Sequence, residues 1–332
     1  MSQTPAALIP PKPFKSHSDL IALLQSRGMV IDDPVRAERK LAQVGYYRLS
    51  GFWYQCRMID FDLSGNAKRC PLTNLPIRLN QFIPGTTFSA IFDLYLFDKK
   101  LRQAMLDAVE RVEVHLRTLI AHELGYHDPM AYLDAQFIHP RLTQNYTRRG
   151  SQRNTWREWQ DRNQRKIDEC REDSIQWHKK RNMALPFWVI TEAWDFGTMS
   201  KYFEIMLGKH QNRIAAKVGC SNPKEMVGWL KELNTLRNRC AHHTRVWNQK
   251  ASNTLAVSSV PRLSALGLDA HALSRIFGQV AILWHLVTQI GPRSGWLDHV
   301  AQIIDSKPVS PNCTFSAMGF PDELGFPRHL FP

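Results

Sequence analysis

The chain has no long apolar run, no paired cysteines and little strand signal, and each absence removes a class of protein. Its most apolar stretch, 280–290, is too short for a membrane helix and carries His285 and Gln289, so no membrane span is expected. The N-terminus, MSQTPAALIPPKPFK, lacks the basic segment and apolar core of an export leader. Cys56, Cys70, Cys170, Cys220, Cys240 and Cys313 are scattered, without a CxxC pair or zinc-finger spacing. Reduced thiols in a cytoplasmic protein are the expected reading. Also missing are GxxxxGK[ST], GxGxxG and HExxH. No metal and no cofactor are expected. Acidic residues are in deficit, 30 against 43 basic ones, and the resulting charge of +13 favours polyanionic partners such as nucleic acid.

What is present reads mainly as helices with recognisable ends. Ser16 with Asp19 caps LIALLQ, and Asp33-Pro34 opens VRAERKLAQV before Gly45. YYRLSGFWYQCR continues as helix. Three prolines and two glycines in 59–85 indicate a connector with a short hairpin. Phe97, Leu101, Met105, Ala108, Val112, Leu116 and Leu119 then recur at steps of three or four, predicting one long helix over 89–125. Further helices are expected at 186–196, 198–207, 221–247, 270–290 and 297–304. The Pro/Gly/Phe-rich C-terminus should lie extended.

Between them, 141–182 holds twelve basic residues against six acidic ones, with Trp156, Trp159 and Trp177 interleaved. Basic groups that track phosphates while aromatics stack on bases would suit single-stranded nucleic acid, and a solvated charged surface explains the composition equally well. The candidate phosphate contacts are Arg148, Arg149, Arg153, Arg157, Lys179, Lys180 and Arg181.

The densest polar cluster is LRNRCAHHTRVWN, 236–248. Its Arg-x-x-x-x-His spacing also occurs at Arg117 to His122, as expected of a chain this rich in arginine, so spacing alone says little. If 223–248 is one helix, Trp229, Leu233, Leu236, Cys240 and Trp247 form its core stripe. His243 then falls at the edge of the stripe as a packed histidine. Asn234, Asn238, His242 and Arg245 lie opposite, and Arg237 and Arg239 flank the stripe. Asn238 is one turn from His242 and able to hold its tautomer. Arg237 and His242 stand about 140° apart on an ideal helix. A solvated face and half of a reactive site both fit that geometry. On the long helix Arg102, Glu110, Glu113 and Arg117 share one side, either as surface ion pairs or as supports of the 237–242 cluster. His115 and His122 have no evident ligand partner.

LRNRCAHHTRVWN closely resembles the Arg-Asn-x-x-x-His signature of HEPN-type ribonucleases, in the form carried by the Abi-like, abortive-infection phage-resistance family. KPFKSHSDLIALLQSRGMVI, GYYRLSGFWY, FDLYLFDKKLRQAMLDAVERVEVHLRTLIAHELG, LPFWVITEAWDFGTMSKYF and MGFP resemble the same family in the same order. The resemblance implies a mainly α, HEPN-like helical bundle. Its parts would be an N-terminal helical region at 1–58, a connector at 59–85, a helical domain at 86–305 with a basic insertion at 141–182, and an irregular tail at 306–332.

The resemblance further implies a toxin-like, metal-independent endoribonuclease in antiphage defence, leaving 5′-OH and 2′,3′-cyclic phosphate ends. Arg237 and His242 take the catalytic positions, with Asn238 as orienter and Glu110, Glu113, Arg117 and His243 in support. Arg239 and Arg245 join the RNA contacts. One protomer supplies one such histidine, whereas an acid and a base ideally need two groups, so a homodimer with a composite site is expected. RNA as target and a structured small noncoding RNA as regulator are the implied partners. The alternative is a noncatalytic RNA-binding defence protein.

Overall fold

The computed structural model describes residues 12–253 and 255–331. The first eleven residues, on which the expectation of no leader partly rests, lie outside that range. Among the described residues there are fourteen α-helices and two two-stranded sheets, so the chain is mainly α. No helix there is long and apolar enough to cross a membrane. The chain separates into two compact units, 1–97 with 307–314 and 98–306 with 315–332.

The first unit begins with α1 (His17–Ser26), α2 (Pro34–Val44) and α3 (Tyr46–Trp53). Ser16 and Asp19 form a reciprocal capping box on α1, and Asp33 caps α2 ahead of Pro34, as their sequence spacing predicts. Leu24, Leu41, Leu49 and Trp53 are its innermost side chains. The expected hairpin is present as β1 (Arg57–Ile59) paired antiparallel with β2 (Arg78–Phe82). Cys56 and Cys313 are buried here as free thiols, their sulfurs 3.7 Å apart.

One helix, α4 (Phe88–Gly125), runs 38 residues. Its stripe is buried from Phe97 to Leu116 as the periodicity predicts, but Leu119 is partly exposed and Ile120 takes the inner position. The second unit continues with a hairpin, β3 (Tyr146–Arg148) and β4 (Ser151–Arg153), then α5 (Thr155–Glu169), α6 (Asp173–Lys180), α7 (Phe187–Ile190), α8 (Phe196–Ile205), α9 (Gly208–Lys217) and α10 (Pro223–Ala241). It closes with α11 (Pro261–Ser264), α12 (Ala270–Leu273), α13 (Ile276–Ile290) and α14 (Trp296–Asp305).

Several expectations need correction. The helix predicted at 186–196 stops at Ile190 and becomes a 3₁₀ turn, while α9 has no counterpart in the sequence reading. The helix predicted at 270–290 is broken at Arg275, whose backbone is extended. The break folds the incoming chain against the start of α13, where a Cβ on Gly278 would lie 2.7 Å from the Leu273 Cα, too close for any side chain.

The tail from Phe315 packs on α13 through rings, with Phe320 4.5 Å and Phe331 6.1 Å from Phe277 between centroids. Gly319 of the MGFP stretch has φ +90°, and a Cβ there would sit 2.7 Å from the Arg275 Cβ. That combination leaves room for glycine alone.

Buried within α13, His285 points Nε2 at the Val218 carbonyl, 2.8 Å away. Burial drives its pKa from the ordinary 6.5 to about 4. The unfolded chain therefore holds this proton more tightly than the folded one, so the contribution is complete above pH 6.5 and lost as pH falls toward about 4. Melting temperature should drop across that interval. His285→Gln, which keeps a donor for Val218, should flatten the drop; an unchanged pH profile would rule His285 out as its source.

Candidate functional site

The cluster predicted from 236–248 sits at the end of α10. Asn222 caps the start of this helix and Pro223 takes its first position. Met226, Trp229, Leu233, Leu236 and Cys240 form its inner stripe. Two acids are buried on the same helix. Glu225 accepts hydrogen bonds from the Ser258 and Ser259 hydroxyls at 2.6 and 2.7 Å. Glu232 accepts from the Ser252 and Asn253 amides at 2.9 and 3.1 Å and from Gln279 at 2.8 Å. Both carboxylates thus secure the chain that follows the motif.

The helix ends at Ala241 and does not continue to 247. His242 is the C-cap, and His243 adopts the left-handed conformation at φ 58°. The His243 amide donates to the Cys240 carbonyl at 3.2 Å and the Thr244 amide to that of Arg239 at 2.8 Å, the paired bonds of a Schellman cap. This overturns the expected packed position of His243: both histidines are exposed. Arg237 is half-buried and Asn238 is exposed. Among the described residues, no hydrogen bond joins the Asn238 and His242 side chains, and none engages the Arg237 guanidinium.

Beyond the cap the chain turns inward. The Val246 and Trp247 amides each donate to the Asp98 Oδ1 at 2.8 Å, and Arg275 donates to the Asn248 carbonyl at 2.9 Å. Asp98 is fully buried and paired with Arg102 at 3.0 Å. Burial pushes the Asp98 carboxyl up, against the two amides and the guanidinium that pull it down. Arg102 therefore serves this anchor, and Glu110, exposed and unpaired among the described residues, serves no part of it.

The second half of the site comes from α4. Glu113 is buried and pairs with Arg117, which also donates to the Trp194 carbonyl. Burial pushes the Glu113 carboxyl up, while the charges of Arg117 and then Arg237 pull it down. Glu113, Arg117 and Arg237 thus form one electrostatic cluster drawn from α4 and α10. Next to it Asp195 caps α8 through the Thr198 amide and hydroxyl at 2.7 and 2.8 Å. Burial raises its carboxyl, but the Thr198 bonds, Lys166 and Arg162 outweigh that and hold it at about 2.

The profile of the Abi-like protein family matches residues 39–248, more than half of the chain. The chain belongs to that family. No curated protein and no solved structure matches it. Membership of the Abi-like family supports a role in abortive infection, a form of phage defence. The matched segment takes in α4, α10, the histidine cap and the anchored Asn248, and it leaves α13 and the tail outside.

In this Abi-like protein the basic stretch is more ordered than its composition suggests. Trp156 and Trp159 are buried and stacked 5.4 Å apart, so they belong to the core and not to a base-stacking surface. Trp177 is exposed, with the Arg181 guanidinium 4.3 Å over its ring. Arg153 pairs with Glu158, Lys179 reaches the Ile167 carbonyl, and Arg239 reaches that of Lys250. Arg245 pairs with the Gln249 amide oxygen. Arg148, Arg149, Arg157 and Lys180 remain exposed without internal partners among the described residues.

Two groupings went unnoticed in the sequence. One is a cleft of about 470 Å³ whose lining includes Arg117, His122, Tyr126 and Trp188. The other brings Glu123, His127 and His210 together.

Proposed function

We propose that this Abi-like protein is a toxin-like, metal-independent endoribonuclease of the HEPN type, acting through a composite Arg/His site at a homodimer interface. The observation that supports the reading is one helix end carrying Arg237, whose charge acts on the buried Glu113–Arg117 pair, and the exposed Asn238 and His242, whose side chains make no hydrogen bond among the described residues. The cap holds the backbone of this helix end while the exposed His242 side chain stays open to substrate.

Cleavage without metal requires a base for the 2′-OH proton, an acid for the departing 5′-oxygen and positive charge on the phosphate. Histidine suits both proton roles near neutral pH. The 2′-oxygen attacks phosphorus and the P–O5′ bond breaks, leaving a 2′,3′-cyclic phosphate and a 5′-OH. Arg237 presents a planar fork to the phosphate oxygens as charge builds on them. Glu113, pinned by Arg117, orients Arg237. Two copies of His242, one from each protomer, divide the acid and base roles. A structured small noncoding RNA, held by the exposed Arg148, Arg149, Arg157 and Lys180, regulates the enzyme.

Purified protein should cut generic RNA in the presence of EDTA, and Arg237→Ala should reduce that activity by about 10²-fold or more. Equal cutting by the two proteins would dismiss the assignment. RNA binding should weaken steeply with salt, and neutralising Arg148, Arg149 and Arg157 together should lower the slope of log affinity against log salt by about two to three. An unchanged slope removes these arginines from the interface.

A second reading, a noncatalytic RNA-binding defence protein, draws on one specific observation: within a protomer Arg237 and His242 do not bond to each other. It predicts tight RNA retention without cleavage.

A further inference from the structure

We infer that Glu123, His127 and His210 form a binding site for a divalent transition-metal ion of the zinc class. The inference is independent of the ribonuclease reading. Glu123 lies in the last turn of α4, His127 just past its end and His210 in the first turn of α9. One ligand atom from each lies within 4.8 Å of the other two. His210 is fully buried, its Nδ1 is 2.9 Å from the Glu123 carboxylate, and its Nε2 has no hydrogen-bond partner. His210 Nδ1 and the Glu123 carboxylate therefore already face each other as two donor atoms for one ion, and ligation through Nδ1 would fix the ring's tautomer with its proton on Nε2.

The rings are held in place by stacking. The His127 and His210 centroids are 5.2 Å apart, and Phe137 packs against both at 6.3 and 5.8 Å. A tetrahedral ion with bonds of about 2.0–2.1 Å wants donors roughly 3.4 Å apart. Closing the cluster therefore needs shifts on the order of an ångström, within reach of the exposed His127 and the half-buried Glu123. Arg213 donates to the same carboxylate at 3.1 Å and is mostly exposed, so ion binding releases it to solvent. Two imidazoles and one carboxylate select zinc-like ions over magnesium or calcium, which prefer oxygen ligands. Three protein ligands would leave a fourth position for water. The ion would fasten α9 to the end of α4.

The test uses the full chain, stripped with EDTA, exchanged into buffer and titrated with Zn²⁺ alone against a chromophoric chelator. One equivalent should bind and raise the melting temperature, and Mg²⁺ should do neither. His127→Ala and Glu123→Gln should each weaken Zn²⁺ binding by about tenfold or more. His210→Ala opens a buried site and is a poorer probe; the exposed His127 carries the comparison. Co²⁺ in place of Zn²⁺ should give a ligand-field spectrum without sulfur charge transfer. Equal Zn²⁺ affinity in parent and His127→Ala, no binding at all, or a sulfur charge-transfer band would each overturn the site; the last would assign the ion to cysteines.

Discussion

Alanine in place of His242 should slow metal-free RNA cleavage by about 10²–10⁴-fold and leave the unfolding midpoint unchanged. The side chain is exposed, and only its amide takes part in the cap, through the Asn238 carbonyl at 2.9 Å. Alanine keeps that amide. A large loss of rate with no loss of stability therefore reports chemistry and not folding. Mixing adds a sharper test. If each composite site needs His242 from both protomers, an equal mixture of parent and variant, equilibrated by subunit exchange, should retain about a quarter of the parent activity, whereas independent sites retain about half. A linear dependence on the parent fraction would remove the dimer from the mechanism, and undiminished activity in the variant alone would remove His242.

Asp98→Ala should be among the most destabilising single changes in the second unit, costing about 3–5 kcal/mol in a denaturant titration. The carboxylate is fully buried, accepts two backbone amides and faces a nearly buried Arg102. Its removal leaves that arginine uncompensated and two amides unsatisfied. Asp98→Asn keeps one oxygen for the amides and loses only the charge, so it should fall between parent and alanine. If asparagine proves as damaging as alanine, the ion pair matters more than the amide anchor. Both variants loosen the chain immediately after the histidine cap, and cleavage should decline in the same order as stability.

The features legible in the sequence were those set by neighbours along the chain. The caps at Ser16 and Asp33, the stripe of α4 from Phe97 to Leu116 and the inner face of α10 all follow from local chemistry and a 3.6-residue period. The end of α10 was not legible for two reasons. Trp247 keeps the apolar stripe in phase beyond the true end, although its burial comes from the chain turning inward. The residue at the left-handed position is histidine, where glycine is the usual marker.

Trp156 and Trp159 misled in the opposite sense: among so many arginines they suggested a stacking surface, yet their three-residue spacing puts both on the inner face of α5. Asp98 reads as one polar residue beside a stripe, because its partners are amides far along the chain. Similarly, Glu123 and His127 are spaced for one helix face, but only the fold brings His210 to them.

His243 holds the left-handed position of the α10 cap. A β-carbon at φ 58° is less comfortable than none, by about 1–2 kcal/mol. Glycine there should suit the turn better than the residue the protein carries, so a screen for stability and a screen for phage resistance would rank position 243 differently. Divergence between those two rankings would separate what the turn requires from what the imidazole is for.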